Sequence, residues 1–227
     1  TYNWQMNAAG LAAVWAKDNT RKEIFNALSR REVYATTGPR ISLRFFGGYD
    51  FHQDDLGPET FVASGYEKGI PMGGELNAEK DETPIFLFAA MKDPRGANLD
   101  RLQIVKGWIE NEEMKEKVFN VAWSDERQMD KEGGITPVGN TVNLEEATRT
   151  DTIGDASLVG IWSDPEHDPS KAAVYYARVL QIPTPRWTLY GKVRFGIKDM
   201  DEEIPLVTQE RAYSSPIWYK PNKKIIP

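Results

Sequence analysis

The sequence has no cysteine and only two histidines, His52 and His167, among its 227 residues. Without cysteine the chain cannot form a disulfide, a thiolate nucleophile, a zinc ribbon or an iron–sulfur cluster. Two histidines are also too few for a multinuclear metal centre, which needs several imidazole and carboxylate ligands in one cavity. We therefore expect no metal site and no cofactor in this chain.

Long apolar runs and basic runs are missing as well. No stretch approaches the roughly 20 apolar residues that a transmembrane helix requires. The formal net charge of −6 opposes the concentrated basic face of a nucleic-acid groove. The start, Thr1 to Trp4, has neither a basic leader nor an apolar signal core. Because the initiator Met is missing, we expect the natural N-terminus to lie upstream or to have been processed away. We expect a soluble protein of the cytoplasm or periplasm that binds neither membranes nor nucleic acid.

Hydrophobic residues make up 40% of the chain, which is ample for a packed core. The clearest element is an amphipathic helix over residues 20–31. Thr20 and Glu23 have the spacing of a capping box, and Ile24, Phe25 and Leu28 form one apolar stripe. The shorter apolar segment 10–16 is compatible with a strand or with a buried turn of helix.

After residue 40 the pattern changes to alternating, β-rich segments separated by Gly, Pro and Asp clusters. A strand beginning at Ile41 places Leu43 and Phe45 on the same face, as period-two burial requires. Further candidate strands are rich in Val, Ile, Phe, Tyr or Trp: 85–91, 102–109, 118–123, 158–162 and 174–182. Their spacing predicts a mainly β fold with an antiparallel β-sandwich and a boundary near residue 40.

Several motifs occur in a fixed order along nearly the whole chain. They are residues 10–16, 19–21, 24–25, 30–41, 71–74, 92–94, 99–108, 175–180, 182–187 and 209–218. In this order they resemble the domain-of-unknown-function 3604 family. The larger members of that family are similar to the polymerase-and-histidinol-phosphatase (PHP) superfamily of metal-dependent phosphoesterases.

The resemblance implies that this chain is the C-terminal part of a larger protein. Residues 1–40 would then be the terminal piece of a PHP-like β/α barrel, and residues 41–227 a β-rich C-terminal domain. A divalent metal is implied for the full-length protein, with ligands in the upstream portion, which would be the partner of this chain. The chain alone would be inactive. The alternatives are a stand-alone β-sandwich that binds a ligand such as a glycan, and a purely structural interaction domain.

The loop after the predicted helix is the best candidate for substrate contact. Tyr34, Thr36, Thr37 and Arg40 surround a permissive glycine, and hydroxyls with an arginine suit an anionic substrate. The resemblance places this loop near the barrel mouth. The alternative is a plain helix-to-strand connection in which the threonines satisfy backbone groups.

Two polar clusters have simpler interpretations. Asp50, His52, Asp54 and Asp55 are predicted to form a surface loop, because nothing supplies a partner for acid–base chemistry. Residues 164–170 have oxygen ligands at alternate positions but lack the glycine and glutamate of a calcium loop, so we expect a solvated turn.

Glycine-rich and aromatic segments also have simpler structural interpretations. Residues 69–74 lack the spacing of a phosphate-binding loop and predict a tight turn. Ser214 and Ser215 lack the flanking residues of a hydrolase nucleophile. Exposure of the tryptophans on one face would favour glycan binding, whereas their burial would favour packing; the four concerned are Trp108, Trp123, Trp162 and Trp187.

Overall fold

The computed structural model describes residue 6 and residues 10–79 and 82–221, and this part of the chain is mainly β. Its helices are α1 (Arg21–Ser29), α2 (Phe61–Glu67) and α3 (Trp187–Phe195). The strands, β1 to β14 in order, are Leu11–Val14, Val33–Thr36, Ser42–Gly48, Gly69–Pro71, Glu75–Asn77, Ile85–Met91, Leu99–Glu110, Glu113–Trp123, Ser157–Ser163, Ala173–Gln181, Thr184–Pro185, Val207–Thr208, Arg211–Ser214 and Ile217–Lys220. None of these helices is long and apolar enough to cross a membrane.

The larger sheet has eight strands and is organised around β10. One edge of β10 pairs with β7, which forms a hairpin with β8. The other edge pairs with β13 and β14 in succession. The sheet continues from β13 through β2 to β1, and from β14 to β5, the latter by a parallel pairing. Strand β1 therefore lies at one end of the sheet.

The smaller sheet has four antiparallel strands in the order β4, β3, β6, β9. Strands β11 and β12 form a separate two-stranded ladder beside α3. The main core cluster draws on both larger sheets: Phe45 and Phe86 come from the four-stranded sheet, and Ile104, Tyr175 and Ile217 from the eight-stranded sheet. Apolar faces of the two sheets thus bury each other, which is the arrangement of a β-sandwich.

The predicted helix is confirmed as α1, but only half of its predicted capping box forms. The Thr20 hydroxyl accepts a hydrogen bond from the Glu23 backbone N–H at 3.3 Å. The reciprocal bond is missing, because the Thr20 backbone N–H donates to the Asp18 carbonyl at 2.9 Å. One helix-capping interaction therefore starts the helix rather than two.

The six predicted strands are all present, each within five residues of its expected limits. They correspond to β3, β6, β7, β8, β9 and β10. The ambiguous segment 10–16 contains the strand β1, and residues 69–74 contain a tight turn in which the Gly74 N–H donates to the Pro71 carbonyl. The sequence patterns did not indicate α2 or α3.

Residues on either side of the predicted boundary at residue 40 share one sheet, because β2 pairs with β13. Ala35 lies opposite Tyr213 in this ladder. The sheets of the described residues are open, so a β/α barrel is not present in this part of the chain. The assignment of residues 1–40 to a barrel stays a prediction.

Candidate functional site

A polar cleft of about 660 Å³ lies where the end of β2, the start of α3 and the start of β13 meet. We call it the β2–α3 cleft. Its lining residues come from four separate parts of the chain: Gly10, Thr36, Thr37, Pro185, Arg186, Trp187, Val207, Thr208, Gln209, Glu210 and Arg211. The pairing of β2 with β13 and of β11 with β12 brings these segments together.

Thr36 and Thr37, two of the four predicted contact residues, line the cleft. The Thr36 hydroxyl accepts from the Gly38 backbone N–H at 3.4 Å. The Thr37 hydroxyl accepts from the Arg211 backbone N–H at 2.9 Å and donates to the Glu210 carboxylate. Both threonines thus satisfy backbone groups, as the simpler interpretation of this loop anticipated, and they still present polar atoms to the cleft.

Tyr34 and Arg40, the other two predicted contact residues, do not line the cleft. Tyr34 is half-buried against the main core, with its ring 6.0 Å from that of Trp15. Burial raises the pKa of its phenol above the usual value. Arg40 is exposed, and its backbone N–H donates to the Asp93 carboxylate at 2.7 Å. The four residues therefore do not converge on one point, and a role for them in substrate contact stays a prediction.

Two side chains that line the cleft also bind the backbone of residue 6. The Arg186 guanidinium and the Trp187 indole N–H both donate to the Met6 carbonyl, at 3.2 Å and 3.0 Å. Arg186 is buried, whereas Trp187 is 48% exposed. The sequence offered only the order Pro-Arg-Trp before an unrecognised helix, so these two side chains were not predicted to belong to the site.

The lining of the cleft is suited to binding a polar ligand. It offers hydroxyls, an indole and the guanidinium groups of Arg186 and Arg211, with one carboxylate from Glu210. Among the described residues, no group of three or more His, Asp or Glu side chains is placed to hold a metal ion. A ligand held by hydrogen bonds, with an anionic or hydroxyl-rich surface, is the chemistry that this set of residues suits.

A second surface lies along the edge of the large sheet. Within the described residues β1 pairs only with β2, and the bond from the Trp15 N–H to the Glu32 carbonyl fixes the pairing pattern. The alternation of an antiparallel ladder then leaves the backbone groups of Ala12 and Val14 directed away from β2. An unpaired strand edge of this kind is a template for pairing with another strand.

The apolar stripe of α1 is uncovered and follows β1 directly in the chain. Phe25 is 67% exposed and Leu28 is 50% exposed, and Leu11 on β1 is also exposed. Only Ala27 of this helix is buried. Large apolar side chains that share one exposed face are typical of an interaction surface. We refer to β1 and the α1 stripe together as the β1–α1 surface.

A family model described as "Protein of unknown function (DUF3604)" matches residues 1–221. The chain belongs to this family. No curated protein and no solved structure gives a significant match to it. The match covers the strands of both sheets, the β2–α3 cleft and the β1–α1 surface.

The tryptophans of this DUF3604 chain do not form one exposed face. Trp162 packs on the main core and against Phe86 and Phe119, and Trp108 also contacts the core. Trp123 is partly buried, and its indole N–H donates to the Arg127 carbonyl at 2.8 Å. Trp187 alone among the four is largely exposed, so the aromatic platform expected of a glycan-binding module is reduced to a single ring in the cleft.

Asp164 lies buried, and the prediction of a solvated turn is wrong at this residue. Its carboxylate accepts from the Lys106 ammonium at 2.5 Å and from the Tyr175 hydroxyl at 2.8 Å. Lys106 also donates to the Glu166 carbonyl at 2.8 Å. Strand β10 brings Tyr175 to this pair, and the nearby His167 has its pKa lowered by burial. The cluster is an internal ion pair, because its charged groups satisfy one another.

The predicted surface loop around His52 is confirmed for His52 and wrong for Asp55. The His52 imidazole is exposed and lies 3.0 Å from the Asp50 carboxylate. Asp55 lies in a short 3₁₀ helix (Gln53–Leu56), where it is buried and bonded to Lys68. This cluster anchors α2 rather than forming an acid–base site.

Proposed function

We propose that this chain is the C-terminal, non-metal-binding portion of a PHP-like metal-dependent hydrolase, which stabilises the catalytic barrel and shapes its mouth. The observation that supports it best is the β1–α1 surface. An unpaired strand followed by a helix with an exposed apolar stripe is the expected end of a larger β/α unit. The upstream portion of the same protein is the partner that would cover this surface.

The residues present do not fit a catalytic metal, so the metal ligands would lie in the upstream portion. The His52 imidazole lies 3.0 Å from the Asp50 carboxylate, and the described residues offer no group of three or more metal ligands. No step of the reaction is therefore assigned to this chain. Its contribution would be to hold the barrel and to present the hydroxyls and guanidinium groups of the β2–α3 cleft at the substrate entrance.

The β2–α3 cleft is placed suitably for this role. Gly10, which begins the described segment at β1, lines the cleft, and the Met6 carbonyl is held by Arg186 and Trp187. Residue 6, through Arg186 and Trp187, and Gly10 are therefore both associated with the cleft. Thr37 and Arg211 also line the cleft and would contact an anionic group that enters it.

The experiment compares Phe25→Glu in two settings, this 227-residue chain and the full-length protein. In the chain alone we expect little change in stability, because Phe25 is 67% exposed. In the full-length protein we expect a loss of about 2 kcal/mol or more, because the change would bury a charge in place of an apolar ring. Urea unfolding measures both.

Met114→Glu is the matched control, because Met114 is 87% exposed on β8, away from the β1–α1 surface. It should be neutral in both settings. The full-length protein should also hydrolyse p-nitrophenyl phosphate with added Mn²⁺, while the 227-residue chain should not. Equal effects of Phe25→Glu in the two settings, or metal-independent hydrolysis by the chain alone, would overturn the proposal.

A second candidate, a glycan-binding module, is favoured by one observation. Trp187 exposes nearly half of its surface in a cleft that also contains Thr37 and Glu210, and sugar rings stack on such an indole. Quenching of tryptophan fluorescence by oligosaccharides, lost in Trp187→Ala, would support this function. Absence of quenching across neutral and acidic oligosaccharides would leave the cleft to the hydrolase proposal.

A further inference from the structure

A pocket of about 490 Å³, separate from the β2–α3 cleft, lies beside the segment that joins β1 to α1. We call it the arginine pocket. Its lining residues come from the segments just after β1 and α1 and from β3, α2 and β4. They are Trp15, Ala16, Lys17, Arg30, Glu32, Arg44, Tyr66 and Pro71. None of them lines the cleft.

Glu32 is the buried centre of this pocket, with only 2% of its surface exposed. Its carboxylate accepts from the Arg30 guanidinium at 3.0 Å and from the Tyr66 hydroxyl. The Arg44 guanidinium lies 3.8 Å from the same carboxylate. Burial and the neighbouring Glu32 raise the pKa of Tyr66, so the phenol keeps the proton that it donates.

Arg44 is held in one orientation. Its guanidinium carbon lies 3.4 Å from the centroid of the Trp15 ring, and its Nη1 donates to the Tyr66 hydroxyl at 3.0 Å. The Trp15 indole is fixed in turn by a bond to the Leu43 carbonyl at 2.8 Å. A guanidinium stacked in this way is preorganised, so binding a ligand costs little side-chain entropy.

Part of the hydrogen-bonding capacity of Arg44 is unused within the described part of the chain. Its bond to Tyr66 uses Nη1, while Nε and Nη2 have no hydrogen-bond acceptor among these residues. Neither atom belongs to the buried polar atoms that lack a hydrogen-bond partner, so both are accessible to solvent. These donors therefore remain open, and Nε with Nη2 is the fork that binds two oxygens of one oxyanion.

The charge of the pocket favours a divalent anion. Three cationic side chains, those of Lys17, Arg30 and Arg44, line it with a single carboxylate, from Glu32, which leaves a formal charge of +2. Lys17 is exposed and forms no ion pair with any described residue. One cation would suffice to neutralise Glu32, so the surplus is unusual in a chain of net charge −6.

We propose that the arginine pocket binds the phosphate group of a small phosphorylated ligand. Arg44 would take two phosphate oxygens with its fork, while Arg30 and Lys17 would supply the remaining positive charge. Trp15 and Pro71 form an apolar wall for the rest of the ligand. This site does not depend on the hydrolase proposal, because it uses neither the β2–α3 cleft nor an upstream portion.

The test titrates inorganic phosphate into the 227-residue chain at constant ionic strength, with the Trp15 indole N–H followed by NMR. We expect saturable binding at one site that shifts this signal. Arg44→Lys keeps the charge but loses the fork, and should weaken binding about tenfold or more. Arg95→Gln is the matched control, because it removes an exposed arginine from a distant turn and should bind as the wild type does.

Lys17→Gln provides a variant that does not disturb the buried Glu32, since Lys17 makes no hydrogen bond or ion pair within the described residues. Its phosphate affinity should fall about threefold or more, from the loss of one nearby charge. It decides the matter if Arg44→Lys does not fold. The proposal is overturned if the wild type shows no saturable binding or if Lys17→Gln binds phosphate as tightly as the wild type. It is also overturned if Arg95→Gln weakens binding as much as Lys17→Gln does.

Discussion

Replacing Asp55 by Asn should remove a pH-dependent contribution to stability of roughly 2 kcal/mol. Asp55 is buried, and burial by itself would raise its pKa. Three hydrogen-bond donors lower the pKa and outweigh the effect of burial. They are the His52 backbone N–H at 2.8 Å, the Ser64 hydroxyl, and the Lys68 ammonium at 2.9 Å and 3.0 Å. The net result lowers the pKa from 3.8 to about 2.

The sign and the size follow from this lowered pKa. The folded state holds the Asp55 proton less tightly than the unfolded state, so ionised Asp55 stabilises the fold at every pH above about 4. The contribution is lost as the pH falls from about 4 through about 2, where both states become protonated. A difference between 3.8 and about 2 corresponds to roughly 2 kcal/mol at neutral pH.

The assay is urea unfolding of the wild type and Asp55→Asn at intervals between pH 7 and pH 2. We expect the variant to be less stable by roughly 2 kcal/mol at pH 7 and the gap to close toward pH 2. Other carboxylates also titrate in this range, but they affect both proteins equally and cancel in the difference. A gap that is constant over the whole range, or below about 0.5 kcal/mol at pH 7, would refute the reasoning.

Two further substitutions test buried features. Lys106→Met leaves the Asp164 carboxylate buried without its cation and should cost about 3–5 kcal/mol in urea unfolding; a loss below about 1 kcal/mol would contradict the ion pair. Gly73→Ala should cost more than about 2 kcal/mol, because Gly73 has φ of +87° and a Cβ there would lie 2.2 Å from the Arg31 carbonyl oxygen. Gly191→Ala, with open space around it, should be neutral or slightly stabilising, and equal losses at the two glycines would show that the backbone approach is unimportant.

The strands were predictable where apolar residues alternated or formed a continuous run between turn residues. Ile85 and Met91 bound β6 in the structure as they did in the pattern, because a strand buried on both faces reads as a continuous apolar run between turn residues. Helix α3 was not predictable, since Gly191 and the β-branched residues Thr188 and Val193 have low helix propensity. It ends at Gly196 in the left-handed conformation, and only Thr188 and Leu189 anchor it in the core.

The candidate site was half predictable. Thr36 and Thr37 were found because hydroxyls beside a glycine and an arginine form a recognisable local pattern. Glu210 and Arg211, the partners of Thr37, lie more than 170 residues later, and the pairing of β2 with β13 brings them to the cleft. The arginine pocket likewise depends on the fold. Arg30 and Arg44 line one site only because the fold places them beside Glu32 and Tyr66.

By itself the sequence determined several of the local elements of this DUF3604 chain. Thr20 marks the start of α1, Leu43 and Phe45 mark the buried face of β3, and the absence of cysteine excludes thiolate and disulfide chemistry. Only the tertiary structure decided that Asp164 is buried and which strands are neighbours. Periodicity predicts which face of a strand is apolar. Which strands become neighbours depends on the free energy of contacts between residues far apart in the chain, and local periodicity does not contain that information.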